Sequence, residues 1–135
     1  FRALTCRTFP FFPYFDRQGH FLGLSYYWEF EDRCWVISHL ERVSQEYTAA
    51  FVRTFDRLFA VWPEEKEPFR YHSGVMRRVF GKRHQPIPLL HRDGSLCAVA
   101  TRTGAMNSID PDQLPHYGPY AIAERLRFPD EHDER

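Results

Sequence analysis

Residues 36–62 read VISHLERVSQEYTAAFVRTFDRLFAVW, and this stretch decides the predicted fold. Its apolar and weakly polar residues recur at steps of three and four, which is the spacing of one helical face. One row comprises Val36, Leu40, Val43, Tyr47, Ala50, Thr54 and Leu58, and the row beside it comprises Phe51, Phe55, Phe59 and Trp62. The pattern predicts one long amphipathic helix over about 31–62, and a break near Ala49 would give two shorter helices instead.

Local signals support both ends of this predicted helix. Glu31 and Asp32 place negative charge where the dipole of a helix start favours it. Pro63 follows the last apolar residue and disfavours helical backbone at the residue before it. Beyond Pro63 we expect a polar linker over 63–68 and a short helix from Ser73, as its N-cap, to Phe80, with Gly81 as its stop.

Two turn signals predict a small antiparallel sheet. Residues 16–19, with Gly19 in the last position, separate an apolar run over 12–15 from another over 20–28. Asp93-Gly94 lies between the runs 87–91 and 96–101 and is a strong hairpin turn pair. Pro86 and Pro88 predict that the strand before Asp93 lies at an edge of the sheet. We therefore expect an α+β fold in which the long helix packs on a sheet of two hairpins.

Extended arms are expected on both sides of this domain. Residues 1–15 form a predicted aromatic arm, because Pro10 and Pro13 prevent a helix there. The small α+β domain covers 16–101. Residues 102–135 form a predicted acidic C-terminal arm that lies over a neighbouring molecule and ends in a short helix over 119–127, since 102–118 show no sustained periodicity.

The aromatic content of the chain points to protein partners. Thirteen Phe, seven Tyr and three Trp make up 17% of 135 residues, more than one small core needs. Surplus rings are enriched at protein interfaces, and a net charge of zero favours association. The predicted partner-binding residues are Phe9, Phe11, Phe12, Tyr14, Phe51, Phe55, Phe59 and Trp62.

A basic segment between residues 69 and 92 is the second candidate binding feature. It carries six positive charges and no acidic residue. Interleaved aromatic residues make contact with RNA phosphates or an anionic lipid surface an option beside an ordinary solvated face. The predicted contact residues are Arg70, Arg77, Arg78, Lys82 and Arg83.

No motif in the chain carries a catalytic or metal-binding signature. His91-Arg92-Asp93 matches a kinase triplet, but the chain is too short for that fold and lacks its glycine-rich loop. His84, His91, Cys97 and Asp93 form the best metal candidate, yet no histidine pair has the spacing of two ligands on one helical face. Neither Cys34 nor Cys97 lies in a nucleophile motif. We therefore predict no catalytic residue, cofactor or metal.

These observations favour a non-catalytic accessory subunit of a large mitochondrial assembly, such as a respiratory-chain complex or ATP synthase. Residues 1–15 contain Arg2 and Arg7 but no acidic residue, as in the end of a mitochondrial transit segment, and the leading Phe suits a processed chain. No run of about 18 apolar residues occurs, so a matrix or peripheral inner-membrane location is expected. An accessory protein of a mitochondrial ribosome, touching rRNA, is one alternative, and a small enzyme without a visible site is another.

Overall fold

Five antiparallel strands and two 17-residue helices form the fold in the part of the chain that the structure describes. The computed structural model describes residues 7–121. In chain order the elements are β1 (Phe11–Phe15), β2 (Phe21–Tyr26), α1 (Gln45–Val61), α2 (Lys66–Lys82), β3 (Ile87–His91), β4 (Leu96–Val99) and β5 (Met106–Ser108). The predicted mixture of helix and antiparallel sheet is confirmed.

Each strand of the sheet pairs with its neighbour in the chain, so the order is β1-β2-β3-β4-β5 and the helices are inserted between β2 and β3. Both predicted hairpins are present. Gly19 and Gly94 have φ values of +87° and +93°, a conformation that favours glycine in a tight turn. β5 is a fifth strand that the sequence did not predict, and it pairs with β4.

β1 lies between the two helices. Phe11 and Phe15 pack against aromatic rings of α1. Phe12 and Tyr14 point the other way and contact His72 and Arg77 of α2, as expected for alternating side chains of a strand. All five residues of β1 are buried, which explains why the strand is apolar throughout. The extended arm predicted over 1–15 is therefore corrected for residues 11–15, which form the first strand of the predicted hairpin.

The predicted long helix over 31–62 is also corrected. Residues 28–42 form three short 3-10 turns, and α1 begins only at Gln45. Ser44 is its N-cap and accepts a hydrogen bond from the Tyr47 N–H at 3.0 Å. A serine hydroxyl can cap the start of a helix because it accepts a hydrogen bond from a first-turn N–H that has no backbone carbonyl partner. Once started, α1 runs for 17 residues and passes through Ala49 without a break.

The second helix is longer than predicted and begins earlier. α2 spans Lys66–Lys82, so it includes part of the predicted polar linker and Gly81. Pro68 lies in its first turn, where a missing N–H removes no hydrogen bond. Ser73 is not an N-cap but a buried mid-helix residue that donates to the Phe69 carbonyl at 2.7 Å. Its hydroxyl accepts the Phe15 N–H at 3.0 Å, so this serine ties α2 to β1.

β3 is an inner strand, although its prolines predicted an edge. The ladder between β2 and β3 contains only Gly23 opposite His91 and Leu24 opposite Leu90. Beyond it, the Pro88 carbonyl accepts a hydrogen bond from the Ser25 hydroxyl at 2.9 Å. In an extended residue the backbone nitrogen and carbonyl point to the same side of the strand. Because the Pro88 carbonyl faces β2, its nitrogen does too, and the missing N–H interrupts no hydrogen bond to β4.

The described part of the predicted C-terminal arm packs on its own chain. β5 extends the sheet, and an Asp110–Gln113 capping box turns the backbone after it. Leu114 is buried, and the Tyr117 ring packs edge-on against Tyr26 at 6.5 Å. Apolar anchors and a tight turn thus return the segment to the core. Most of the predicted helix over 119–127 lies outside the described residues.

Candidate binding surfaces

Most of the predicted partner-binding rings form the core of this chain. Six of the eight are at most 5% exposed, namely Phe11, Phe12, Tyr14, Phe51, Phe55 and Phe59. Phe9 and Trp62 are 46% and 55% exposed. Since buried rings cannot also touch a neighbour, the structure restricts the predicted aromatic surface to Phe9 and Trp62.

The buried rings pack on one another across the two helices and the sheet. Phe55 is central, with its ring 4.7 Å from Phe51 in α1 and 5.6 Å from Phe69 in α2. Phe59 extends the cluster to Phe15 and Phe21, whose centroids lie within 6 Å of its own. Aromatic content alone could not distinguish such an inward cluster from surplus rings on the surface.

A second face of α1 remains open beside this core. Tyr47, Ala50, Thr54, Leu58 and Val61 follow one another at steps of three and four, and we call this row the α1 stripe. Ala50, Thr54 and Val61 are exposed, whereas Tyr47 and Leu58 are half-buried. At 1.5 Å per residue the stripe is roughly 20 Å long. Trp62 stands next to its C-terminal end.

The other end of the α1 stripe borders a shallow cavity. Its volume is about 170 Å³, and its lining residues are Arg7, Thr8, Tyr47, Ala50, Phe51 and Thr54. Arg53 and Arg57 lie on the exposed side of α1 and have no carboxylate within 4.0 Å in the described part of the chain. The stripe is therefore weakly apolar and has a positive flank.

The predicted basic set is divided by the fold. Arg70 pairs with Glu67 at 3.4 Å, and Arg83 pairs with Glu31 at 2.8 Å. Arg77 turns inward, where it donates to the Tyr14 hydroxyl. Arg78 and Lys82 are exposed and have no carboxylate within 4.0 Å among residues 7–121.

Arg77 lines a small cavity that the sequence did not indicate. This basic cavity has a volume of about 100 Å³ and is lined by Tyr14, Asp16, Arg17, Gln18, Arg77, Val99, Thr103 and Gly104. Its residues come from β1, the β1–β2 turn, α2, β4 and the β4–β5 turn. Because Arg17 and Arg77 are 60 residues apart, no local motif could have found the pair.

The tyrosine in this cavity keeps its proton. Burial raises the pKa of Tyr14 above its ordinary value, although the Arg77 guanidinium beside it acts in the opposite direction. The hydroxyl therefore accepts from Arg77 and still has a hydrogen to donate. The cavity offers fixed donors and a buried phenol, and these groups suit binding better than proton transfer near neutral pH.

The residues considered for metal binding or nucleophilic chemistry do not form such a site. His91 and Asp93 face each other at 3.0 Å within the β3–β4 turn. Burial raises the pKa of the Cys97 thiol to about 11, so it stays protonated at neutral pH. No three His, Cys, Asp or Glu side chains between residues 7 and 121 are arranged to hold a metal ion. Cys6 lies outside the described residues.

Neither α1 nor α2 is long and apolar enough to cross a membrane, and no other helix of the described residues is either. Comparisons with protein-family models, curated proteins and solved structures found no match to this chain.

Proposed function

We propose that this chain is a non-catalytic subunit that binds another protein along the α1 stripe and Trp62. The exposure of large apolar side chains at the C-terminal end of α1 carries this proposal. Val61 is 66% exposed and Trp62 is 55% exposed, directly after the helical turn that buries Phe59. Tryptophan is enriched among the residues that dominate binding energy at protein interfaces.

The α1 stripe is not needed to complete the core of this chain. Phe51, Phe55 and Phe59 already attach α1 to the sheet and to α2. On the helix surface the stripe lies beside these rings and leads from the cavity at Ala50 to Trp62. A contiguous row of this kind is a common docking surface for a partner.

The charge around the stripe supports one kind of partner. Arg53 and Arg57 flank it, and Arg7 lines the cavity at its N-terminal end. A helix with an apolar face and an acidic border would match these features, because complementary charge guides encounter and register. We propose such an acidic amphipathic helix as the partner element.

A large mitochondrial assembly, such as a respiratory-chain complex or ATP synthase, is the setting we propose for this subunit. The support is the composition of residues 1–15, which combine arginine, threonine and aromatic residues without an acidic residue. The zero net charge of the chain also suits a protein that works in contact with others.

Substitutions on opposite faces of α1 test the protein-binding function. The affinity-tagged chain would be purified from its native cells as wild type and as a Thr54→Glu, Val61→Glu double variant. Ala49→Glu is the matched control, because Ala49 is also exposed on α1 but points away from the stripe. We expect the wild type and the control to elute in one large complex with partners in fixed ratio.

The double variant should keep the circular dichroism and melting temperature of the wild type but elute at its own mass of about 16 kDa. This result is expected because two carboxylates would stand in a contact that excludes water. If the wild type itself elutes as a free monomer, or if the double variant keeps its partners, the proposed function is wrong.

A further inference from the structure

The basic cavity contains two arginine side chains that form no ion pair with a carboxylate among the described residues. Arg77 lies on α2 and is half-buried, and Arg17 lies in the β1–β2 turn. Neither guanidinium has an Asp or Glu oxygen within 4.0 Å in the part of the chain that the structure describes. Placing two cations around one small space is unfavourable unless an anion joins them there.

Neutral groups hold Arg77 in place. Its Nη1 donates to the Tyr14 hydroxyl at 3.0 Å and to the Phe15 carbonyl at 2.7 Å. The guanidinium carbon lies 5.6 Å from the centre of the Tyr14 ring. Since a guanidinium has five N–H donors, these bonds leave the Nε and Nη2 hydrogens of Arg77 available. The Arg77 side chain is thus fixed in position, and its charge forms no ion pair with a carboxylate among the described residues.

Arg17 is fixed in a similar way. Its Nη1 donates to the Arg102 carbonyl at 3.1 Å, and its Nη2 donates to the Thr101 carbonyl at 2.5 Å. Both acceptors belong to the segment between β4 and β5, so Arg17 holds this turn beside the cavity. Arg17 and Arg77 are therefore already ordered without a ligand. Because their side chains need not be immobilised on binding, the entropic cost of binding is lower.

Asp16 is the one carboxylate that lines the cavity within the described residues, and it is already engaged. Its Oδ1 accepts the His20 backbone N–H at 2.8 Å, and its Oδ2 lies 3.1 Å from His20 Nδ1. Against this single negative charge the cavity presents two arginines. Thr103 adds a hydroxyl that accepts the Ala105 N–H at 3.2 Å and keeps its own hydrogen to donate.

The size of the cavity favours a single compact anion. Its volume is about 100 Å³, which suits a small anion better than a large ligand. Arginine pairs with phosphate through two parallel hydrogen bonds, so two guanidiniums can hold one phosphate from two sides. Arg102, whose carbonyl accepts a hydrogen bond from Arg17, adds an exposed cation to the turn beside the cavity and favours the approach of an anion.

We propose that the basic cavity binds one phosphate group of a small phosphorylated molecule between Arg17 and Arg77. A nucleic-acid strand is a poorer fit, because single-strand sites combine a long basic groove with exposed stacking rings. The ring at this cavity belongs to Tyr14, which is fully buried. The proposal is independent of the α1 stripe, which involves neither arginine.

Titration of the full chain with inorganic phosphate and with phenyl phosphate tests this site. Calorimetry would give the affinity, and ¹H–¹⁵N spectra would locate the contact, with sodium chloride at matched ionic strength as the blank. We expect saturable binding and shifts of the Gln18, Thr103 and Gly104 amides. Arg17→Gln should weaken binding about tenfold or more, because it removes a charge-assisted hydrogen bond.

Arg53→Gln is the matched control, since Arg53 is an exposed arginine on α1 that has no part in the cavity. It should change the affinity by less than about twofold, because salt screens distant surface charges. Arg77 is not substituted, because it also ties α2 to β1, and an unchanged melting temperature of Arg17→Gln checks that the turn held by Arg17 is kept. Absence of saturable binding, or equal affinity in wild type and Arg17→Gln, would overturn the proposal. Tighter, Arg17-dependent binding of a single-stranded oligonucleotide would overturn the small-molecule assignment.

Discussion

The hydroxyl oxygens of Tyr26 and Tyr117 lie 3.1 Å apart and join β2 to the segment that follows β5. Gln85 donates to the Tyr117 hydroxyl at 2.7 Å, so three distant parts of the chain meet at one polar group. The Tyr117 N–H also donates to the Ser38 hydroxyl at 2.9 Å. This buried network closes the C-terminal segment over the core.

Tyr117→Phe should destabilise the chain by about 1–3 kcal/mol, because it leaves the buried Tyr26 hydroxyl and the Gln85 amide without their partner. Urea unfolding followed by circular dichroism measures the change. Tyr71→Phe is the matched control. Because Tyr71 is 72% exposed, this variant should change the free energy of unfolding by no more than about 0.5 kcal/mol. Equal effects of the two variants would show that the network contributes no stability.

Substitution by alanine should have opposite effects on the stability of the fold at Gly23 and at Gly74. A Cβ at Gly23 would collide with the Leu90 carbonyl oxygen, so Gly23→Ala must separate β2 from β3. We expect a loss above about 3 kcal/mol or failure to fold, as overpacking against backbone cannot relax easily. In α2, a Cβ at Gly74 would meet only the guanidinium nitrogens of Arg77 and Arg78, at 3.7 and 3.9 Å, which is ordinary van der Waals contact. Gly74→Ala should therefore stabilise the helix by about 0.5–1 kcal/mol.

Thermal unfolding of the two alanine variants beside the wild type checks this pair. A melting temperature that rises for Gly74→Ala and falls steeply for Gly23→Ala is the expected result. Similar stability of Gly23→Ala and wild type would contradict the close approach of β2 and β3 at this residue.

His72 should make the stability of the fold depend on pH. Its ring stacks on Trp28 at 4.6 Å, and its Nε2 is buried without a hydrogen-bond partner in the described structure. Burial lowers the pKa of His72, although Glu29 acts in the opposite direction. The unfolded chain therefore binds the proton more tightly than the folded chain. The neutral His72 ring therefore contributes stability that is fully present above about pH 6.5, the pKa in the unfolded chain. This contribution is lost as the pH falls from there through the lower pKa of the folded chain.

His72→Phe should remove that part of the pH dependence, because phenylalanine fills the same ring site and does not titrate. Urea midpoints at pH 7.5 and 5.5 should differ more for the wild type than for the variant. All other histidines are common to both chains, so the difference isolates His72. The lowered pKa of Asp93, about 2, acts at more acidic pH and does not interfere. An identical pH response in both chains would disprove this role.

The cysteines should differ in reactivity. Cys97 is 6% exposed, and burial is the main reason that its pKa rises to about 11. At pH 8 its thiolate fraction should be roughly 100-fold smaller in the folded chain than in the unfolded chain. Timed alkylation with iodoacetamide, read by peptide mass spectrometry with and without urea, measures this ratio. Cys34 is half-buried and serves as the internal comparison. Alkylation of Cys97 at the same rate in both states would contradict its burial.

Local signals predicted some elements well. The Asp93-Gly94 turn and the turn over 16–19 were found because a positive φ at glycine is a requirement of the turn itself. The end of α1 before Pro63 was found for a similar local reason. The start of α1 was missed, because Val36, Leu40 and Val43 keep helical spacing although the backbone there forms separate turns.

The binding surfaces were predicted less well than the turns. Of the predicted aromatic set, the structure keeps Phe9 and Trp62 at the surface, while Tyr14 and five phenylalanines enter the core. Of the predicted basic set, Arg77 lines a cavity together with Arg17, which precedes it by 60 residues and was not in that set. Mitochondrial location and membership of a large assembly remain predictions of the sequence.

Local sequence patterns predict both hairpin turns, the supply of apolar residues for a core and the apolar face of α1. These properties depend on φ preferences and side-chain chemistry, which act over a few residues. Packing between distant segments determines which rings face inward, how β1 contacts both helices and which residues line the cavity of Arg17 and Arg77. Those outcomes depend on contacts between distant segments, such as Phe15 with Ser73, 58 residues apart, and Tyr26 with Tyr117, 91 residues apart. Local periodicity carries no information about which distant surfaces will pack together.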